Sequence, residues 1–113
     1  MTPAEFKTIR EGLGISAEEL ADDMGVTRKT VYGFESPSRL IDVPADRAAH
    51  LLDLARDFDR AVSRAARRKA LPRFTDQAAF ESTYGIGLSL SMQGPLLARA
   101  RERSGAPIDY ERA

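Results

Sequence analysis

The 113-residue chain contains no cysteine, a single histidine and no long run of apolar residues. Without cysteine it can form neither a disulfide nor a thiolate metal site, and one histidine is too few for a histidine-rich metal site. A membrane-spanning helix needs roughly 18 consecutive apolar residues, and the N-terminal segment lacks the basic and apolar regions of a secretory signal. We therefore expect a cytoplasmic protein that binds no metal or cofactor and contacts no membrane.

The chain has no excess of either charge, because 17 basic and 17 acidic side chains balance. This balance argues against an indiscriminate binder of polyanions. The charges are nevertheless segregated: residues 11–23 carry five acidic and no basic side chains, whereas residues 56–73 carry seven basic and two acidic ones. The basic run is typical of a solvated helix face, and the functional alternative is contact with DNA phosphates.

Residues 16–35 predict two short helices joined by one tight turn. Ser16, with a glutamate three residues later, forms a capping-box pattern that opens the first helix. Gly25 stands where the end of a helix favours a left-handed residue, and Thr27 is placed to cap the second helix. The pattern predicts a helix-turn-helix.

The second helix of this motif is predicted to bury Val31 and Phe34, which are three residues apart, and to expose its other side. A B-form major groove accommodates one helix, and arginine can read guanine through two parallel hydrogen bonds. Glu35 is predicted to pair with Arg10 or Arg39, because a carboxylate facing phosphates would repel them. The candidate DNA contacts are Ser16, Thr27, Arg28, Lys29, Thr30, Tyr32, Gly33 and Arg39.

The whole chain predicts a mainly α fold in three parts. These are an N-terminal helix-turn-helix bundle (residues 1–43), a long connecting helix (residues 44–69) and a small C-terminal dimerisation region with one short strand (residues 70–113). Apolar residues of the second and third parts are candidates for a joint core and dimer seam. They are Phe58, Val62, Phe74, Phe80, Leu88, Met92, Leu96 and Leu97.

The C-terminal part is the least regular. A short strand is predicted at residues 71–74 and a brief helix after it. From Leu88 onward, alternation favours a strand, whereas four-residue spacing favours a helix bent at Pro95, and we prefer the helix. The tail from Ser104 is predicted to fray.

Residues at the defining positions of the motif resemble the helix-turn-helix of Cro/C1-type phage repressors and their bacterial relatives, over about residues 4–62. Those positions are Leu20, Ala21, Gly25, Val26, Thr27, Val31 and Glu35. The resemblance implies that the first four residues from Thr27, and Gly33, touch DNA, although glycine departs from the usual polar side chain there. The order of elements is also similar to the YdiL-like group, which includes autorepressors associated with anti-CRISPR operons. That similarity implies a homodimer joined through the C-terminal halves.

We therefore expect a phage or bacterial transcriptional regulator, a homodimeric autorepressor that reads an inverted repeat in double-stranded DNA. The alternative is a protein-interaction module, antitoxin-like or binding a host factor, that uses the same surface. We expect no enzyme and no catalytic residue, because His50 has no neighbouring acid or thiol and the serines lack a nucleophile motif. Gly85 and Gly87 lack the third glycine of a dinucleotide fingerprint.

Overall fold

The computed structural model describes residues 1–111 and is mainly helical, which confirms the predicted fold class. In that range the helices are α1 (Pro3–Leu13), α2 (Ala17–Met24), α3 (Arg28–Glu35), α4 (Ala45–Ala65), α5 (Gln77–Tyr84) and α6 (Gln93–Ser104). The strands are β1 (Leu71–Arg73) and β2 (Ile108–Tyr110). None of the helices described is both long enough and apolar enough to cross a membrane.

Internal contacts divide the chain into two units, Met1–Ala55 and the part from Arg56 onward, with the division inside α4. They are called unit 1 and unit 2. The three-part division made from the sequence stays a prediction.

The first two helices of unit 1 begin with capping boxes. The Thr2 hydroxyl accepts a hydrogen bond from the Glu5 amide at 3.1 Å, and the Ser16 hydroxyl accepts one from the Glu19 amide at the same distance. In each pair the glutamate carboxylate accepts a hydrogen bond from the backbone amide of the capping residue in return. Gly25 then ends α2 with φ of 72°, a conformation that favours glycine. The predicted cap at Ser16 and turn at Gly25 are confirmed.

The core of unit 1 forms where α3 contacts α1 and α2. Phe6 of α1 and Phe34 of α3 meet edge to face, with ring centroids 5.8 Å apart. Burying a side chain of this size stabilises the fold by about 1.5 to 3 kcal/mol. Further buried apolar residues of unit 1 include Leu13, Ile15, Leu20, Met24, Val31, Val43, Leu51 and Leu54.

Two polar contacts tie the start of α4 to the end of α2. Arg47 donates to the Met24 carbonyl oxygen at 3.0 Å, and His50 Nε2 lies 2.6 Å from Asp23 Oδ2. The expectation that His50 has no acidic partner is therefore wrong. Asp23 is remote in sequence, and only the packing of α4 beside α2 brings the two side chains together.

The core of unit 2 contains most of the residues that the sequence assigned to a joint core and dimer seam. Seven of those eight residues are almost completely buried within a single chain: Phe58, Val62, Phe80, Leu88, Met92, Leu96 and Leu97. Phe74 is partly exposed. These seven side chains form an intramolecular core, so a seam between two copies would use other residues.

A two-stranded parallel sheet joins β1 to β2, with Leu71 opposite Ile108 and Arg73 opposite Tyr110. The Leu71 amide donates to the Pro107 carbonyl oxygen at 2.9 Å. The strand predicted at residues 71–74 is confirmed, but the prediction that the tail frays is wrong at Ile108–Tyr110. Ile108–Tyr110 are ordered by a strand far from them in sequence, which a local pattern does not reveal, and the last two residues of the tail lie outside the described residues.

The segment between α5 and α6 is held by side-chain amides. Gln77 donates to the Leu88 carbonyl oxygen at 2.8 Å and accepts from the Leu90 amide at 2.7 Å. A single 3-10 turn, Leu90–Met92, then leads into α6. The preferred helix is present, but it begins at Gln93 instead of Leu88. Pro95 therefore lies in the first turn, where its missing N–H is tolerated, and not at a bend.

Tyr84 gives unit 2 a pH dependence that can be measured. Its hydroxyl donates to the Pro72 carbonyl oxygen at 2.6 Å, and burial raises its pKa from 10.0 to about 12. We expect the free energy of unfolding to fall between about pH 10 and about pH 12, because the hydroxyl ionises first in the unfolded chain. Below pH 10 this contribution is constant. Chemical denaturation over this range should show the loss in the native chain and not in Tyr84→Phe. Parallel curves for the two proteins would contradict the assignment.

Candidate nucleic-acid interface

The N-terminus of α3 is fixed by two threonines. The Thr27 hydroxyl accepts a hydrogen bond from the Thr30 amide at 3.1 Å, and the two hydroxyl oxygens are 2.9 Å apart. Cap bonds of this kind contribute about 1 kcal/mol to helix stability. Both threonines are exposed, so this first turn combines ordered hydroxyl groups with the partial positive charge of a helix N-terminus.

The predicted faces of α3 are confirmed. Val31, Phe34 and Glu35 are buried behind the helix. The outward residues are Arg28, Lys29, Thr30, Tyr32 and Gly33, and all five are exposed. The structure thus brings together five of the eight candidate DNA contacts on one surface of one short helix, with Thr27 at its cap.

Gly33 lies in the middle of this exposed face. A Cβ atom added there would meet no other atom within 4 Å. Packing therefore does not require glycine, although an exposed helical glycine destabilises a helix by about 1 kcal/mol relative to alanine. A partner could approach the backbone closely at this position.

Glu35 and Arg10 fix α3 against α1. Arg10 Nε and Nη2 donate to the two carboxylate oxygens of Glu35 at 2.6 and 3.1 Å, and Nη1 donates to the Ile15 carbonyl oxygen at 3.0 Å. The hydrogen bonds from Glu35 hold the pKa of Arg10 above its usual value. The side chains are only 12% and 4% exposed. The sequence left Arg10 and Arg39 open as partners of Glu35, and the structure selects Arg10.

Arg39 lies in the loop after α3, where its guanidinium is already engaged. It stacks over the Phe34 ring at 5.6 Å and donates to the carbonyl oxygens of Ile41 at 3.2 Å and Asp42 at 3.4 Å. The side chain shapes this loop, and its role as a DNA contact stays a prediction. Ser16 is exposed at the cap of α2, apart from α3 in sequence, and its DNA contact likewise stays a prediction.

The charge around the motif is mixed. Residues 1–55 contain six lysines and arginines against ten aspartates and glutamates. Glu18, Asp22 and Asp23 are exposed on α2, whereas the first two residues of α3, Arg28 and Lys29, are basic and exposed. Attraction to a polyanion would therefore be local to α3, and the surface of α2 would oppose a phosphate chain lying along it.

The structure adds one feature that the motif did not predict. Leu40 and Ile41 stand exposed at the tip of the loop after α3, and Leu40 is 97% exposed. In residues 1–111, no three histidine, cysteine, aspartate or glutamate side chains are grouped so that they could hold a metal ion.

No protein-family model matches the chain, and the comparison with curated proteins found no match. The resemblance to Cro/C1-type repressors therefore depends on the residues of the motif alone, and it stays a prediction.

Proposed function

We propose that the protein is a sequence-specific DNA-binding transcriptional regulator that acts as a homodimeric autorepressor. The observation that carries this proposal is the exposed face of α3, on which Arg28, Lys29, Thr30 and Tyr32 stand free of the core. A buried ion pair and two aromatic rings brace that helix from behind. A rigid, basic and outward-facing short helix is what direct reading of base edges requires.

In this mechanism α3 lies in the major groove with its N-terminal turn nearest the bases. Arg28 donates two hydrogen bonds to one guanine, and Lys29 contacts a second base or a phosphate. Thr27 and the backbone amides at the helix start hold a phosphate. Two copies would read half-sites about 34 Å apart, or a multiple of that distance, in an inverted repeat.

An electrophoretic mobility shift with the DNA upstream of the protein's own gene tests this function. The experiment compares that duplex with a random duplex of equal length, at two salt concentrations. The proposal requires a shift of the upstream duplex that survives competition by random DNA. Equal binding to both duplexes, or binding to neither, would refute it.

Arg28→Ala should weaken binding to the operator by about 1 to 3 kcal/mol, because it removes a paired donor to one base. Binding to random DNA should weaken much less, and preference at one base pair should relax. Lys7→Ala is the matched control, since Lys7 is exposed on α1 of the same unit. An equal loss on operator and random duplexes would make Arg28 a phosphate contact.

The homodimer is best tested on the whole chain. Truncation after residue 69 would remove β1, α5, α6 and β2 from unit 2, whose core includes Phe58 and Val62 of α4. Such a fragment would associate through newly exposed core residues. Sedimentation equilibrium of the intact chain, with and without operator, measures the state directly. A monomer in both samples would remove the homodimer from the proposal.

A second function, docking to another protein, is favoured by the acidic surface of α2. Glu18, Asp22 and Asp23 are exposed there, and residues 11–23 contain no basic side chain. A basic partner would complement this surface, whereas DNA would not. Replacing Glu18 and Asp22 by glutamine and asparagine separates the two functions. This change would weaken a basic protein partner and strengthen, or leave unchanged, the binding of DNA.

A further inference from the structure

Unit 2 contains a polar cleft between α4 and the loop that follows α5. Its volume is about 240 Å³. The lining residues are Asp57, Arg60, Arg64, Gly85, Ile86 and Leu88. The three charged residues fall within about two turns of one helix, at spacings of three and four residues, so they share one face of α4.

Gly85 allows the loop to lie close against Arg64. A Cβ atom at position 85 would stand 3.0 Å from Arg64 Nη2 and 3.9 Å from the Ala61 Cβ atom. The same Nη2 donates to the Tyr84 carbonyl oxygen at 3.0 Å. The loop therefore fixes one edge of the Arg64 guanidinium and leaves its other donors for a ligand. The backbone φ of 154° at Gly85 also disfavours a side chain there.

The electrostatics of the cleft favour an anion. Arg60 Nη1 lies 3.3 Å from Asp57 Oδ1, and these side chains are 68% and 58% exposed, so the pair contributes little to stability. Two guanidinium groups against one carboxylate leave one positive charge. The end of the loop is held by Gln77, which donates to the Leu88 carbonyl oxygen.

We propose that this cleft binds one phosphate group through Arg60 and Arg64. Its volume is below the roughly 300 to 1,000 Å³ of pockets for drug-sized ligands, so it suits a single oxyanion or one phosphate of a larger molecule. Paired guanidinium donors match phosphate oxygens. The phosphate belongs either to a DNA backbone or to a small phosphorylated molecule.

The first arm of the test uses no DNA, so its outcome is independent of the proposed function. Inorganic phosphate and pyrophosphate are titrated into the ¹⁵N-labelled full chain at constant ionic strength. If the ligand is a small phosphorylated molecule, the amide resonances of Ile86 and Gly87 shift. Arg64→Gln then raises the dissociation constant about tenfold, because one charge-assisted donor pair is lost. Arg101→Gln on α6 removes the same charge outside the cleft and should change nothing.

The second arm uses the upstream duplex from the mobility-shift experiment. If the ligand is a DNA phosphate, Arg64→Gln lowers the slope of log K against log salt by about one, and Arg101→Gln does not. Arg64→Lys keeps the charge but loses the planar guanidinium. Binding that is stronger than in Arg64→Gln and weaker than in the native chain confirms that the guanidinium geometry contributes. Overlaid ¹⁵N spectra check that each variant is folded. The proposal is overturned if neither arm responds to Arg64→Gln, or if Arg101→Gln has an equal effect in both.

Discussion

Glu35→Ala is expected to lower the free energy of unfolding by about 3 kcal/mol. Removing one partner of a buried ion pair typically costs about 3 to 5 kcal/mol, because the other charge stays buried without compensation. We expect a cost at the lower end of this range, because Arg10 retains its hydrogen bond to the Ile15 carbonyl oxygen and is 12% exposed. Urea denaturation measures the change. Operator affinity should fall as well, because the ion pair fixes α3 to α1.

The control is a double variant, Arg10→Met with Glu35→Leu. Replacing a buried ion pair by apolar residues of similar volume is often neutral or stabilising, so this protein should regain most of the lost stability. If Glu35→Ala costs less than about 1 kcal/mol, or the double variant is less stable than the single one, the pair does not have the structural role assigned to it. Operator affinity of the double variant also shows whether α3 needs the charges of the ion pair or only its packing against α1.

Phe80→Ala should lower the free energy of unfolding by about 3 to 5 kcal/mol, the usual range for removing a buried phenylalanine. Phe80 is completely buried in unit 2, with its ring centroid 5.7 Å from that of Tyr84. Leu40→Ala is the control, because Leu40 is 97% exposed and its loss should change stability by less than about 0.5 kcal/mol. Thermal unfolding at several protein concentrations gives both values.

The same unfolding experiment shows whether Phe80 belongs to the core of one chain or to an interface between two copies. A residue of an intramolecular core lowers stability by an amount that does not depend on protein concentration. A residue of a dimer seam makes the loss smaller in dilute protein, where neither protein associates, and larger in concentrated protein, because association and folding are linked. A concentration-dependent effect of Phe80→Ala would contradict its assignment to the core of unit 2.

The helix-turn-helix could be predicted from the sequence because its signals are local. A cap and its partner are three residues apart, as in Ser16 and Glu19, and Val31 and Phe34 mark one side of one helix. Contacts between side chains that are far apart in sequence were harder to predict. Glu35 had two possible partners until packing brought α1 beside α3, and Asp23 was not identified as a neighbour of His50.

Unit 2 was harder to predict for the same physical reason. The strand Ile108–Tyr110 exists through pairing with β1, and its own residues carry no strong strand pattern. Apolar spacing identified Leu96 and Leu97 as interior residues, but it could not show whether they face their own chain or a second copy. The phosphate cleft depends on a loop lying over α4, which no spacing in the sequence reveals.

The parallel pairing of β1 with β2 sets an order of assembly. Contacts between α2 and α3 close over a few residues, whereas Leu71 must find Ile108 across two intervening helices. Longer closures cost more chain entropy and slow folding. Unit 1 is therefore expected to reach its native structure first, and unit 2 to pass through an interval in which its aromatic core is open to water and to aggregation.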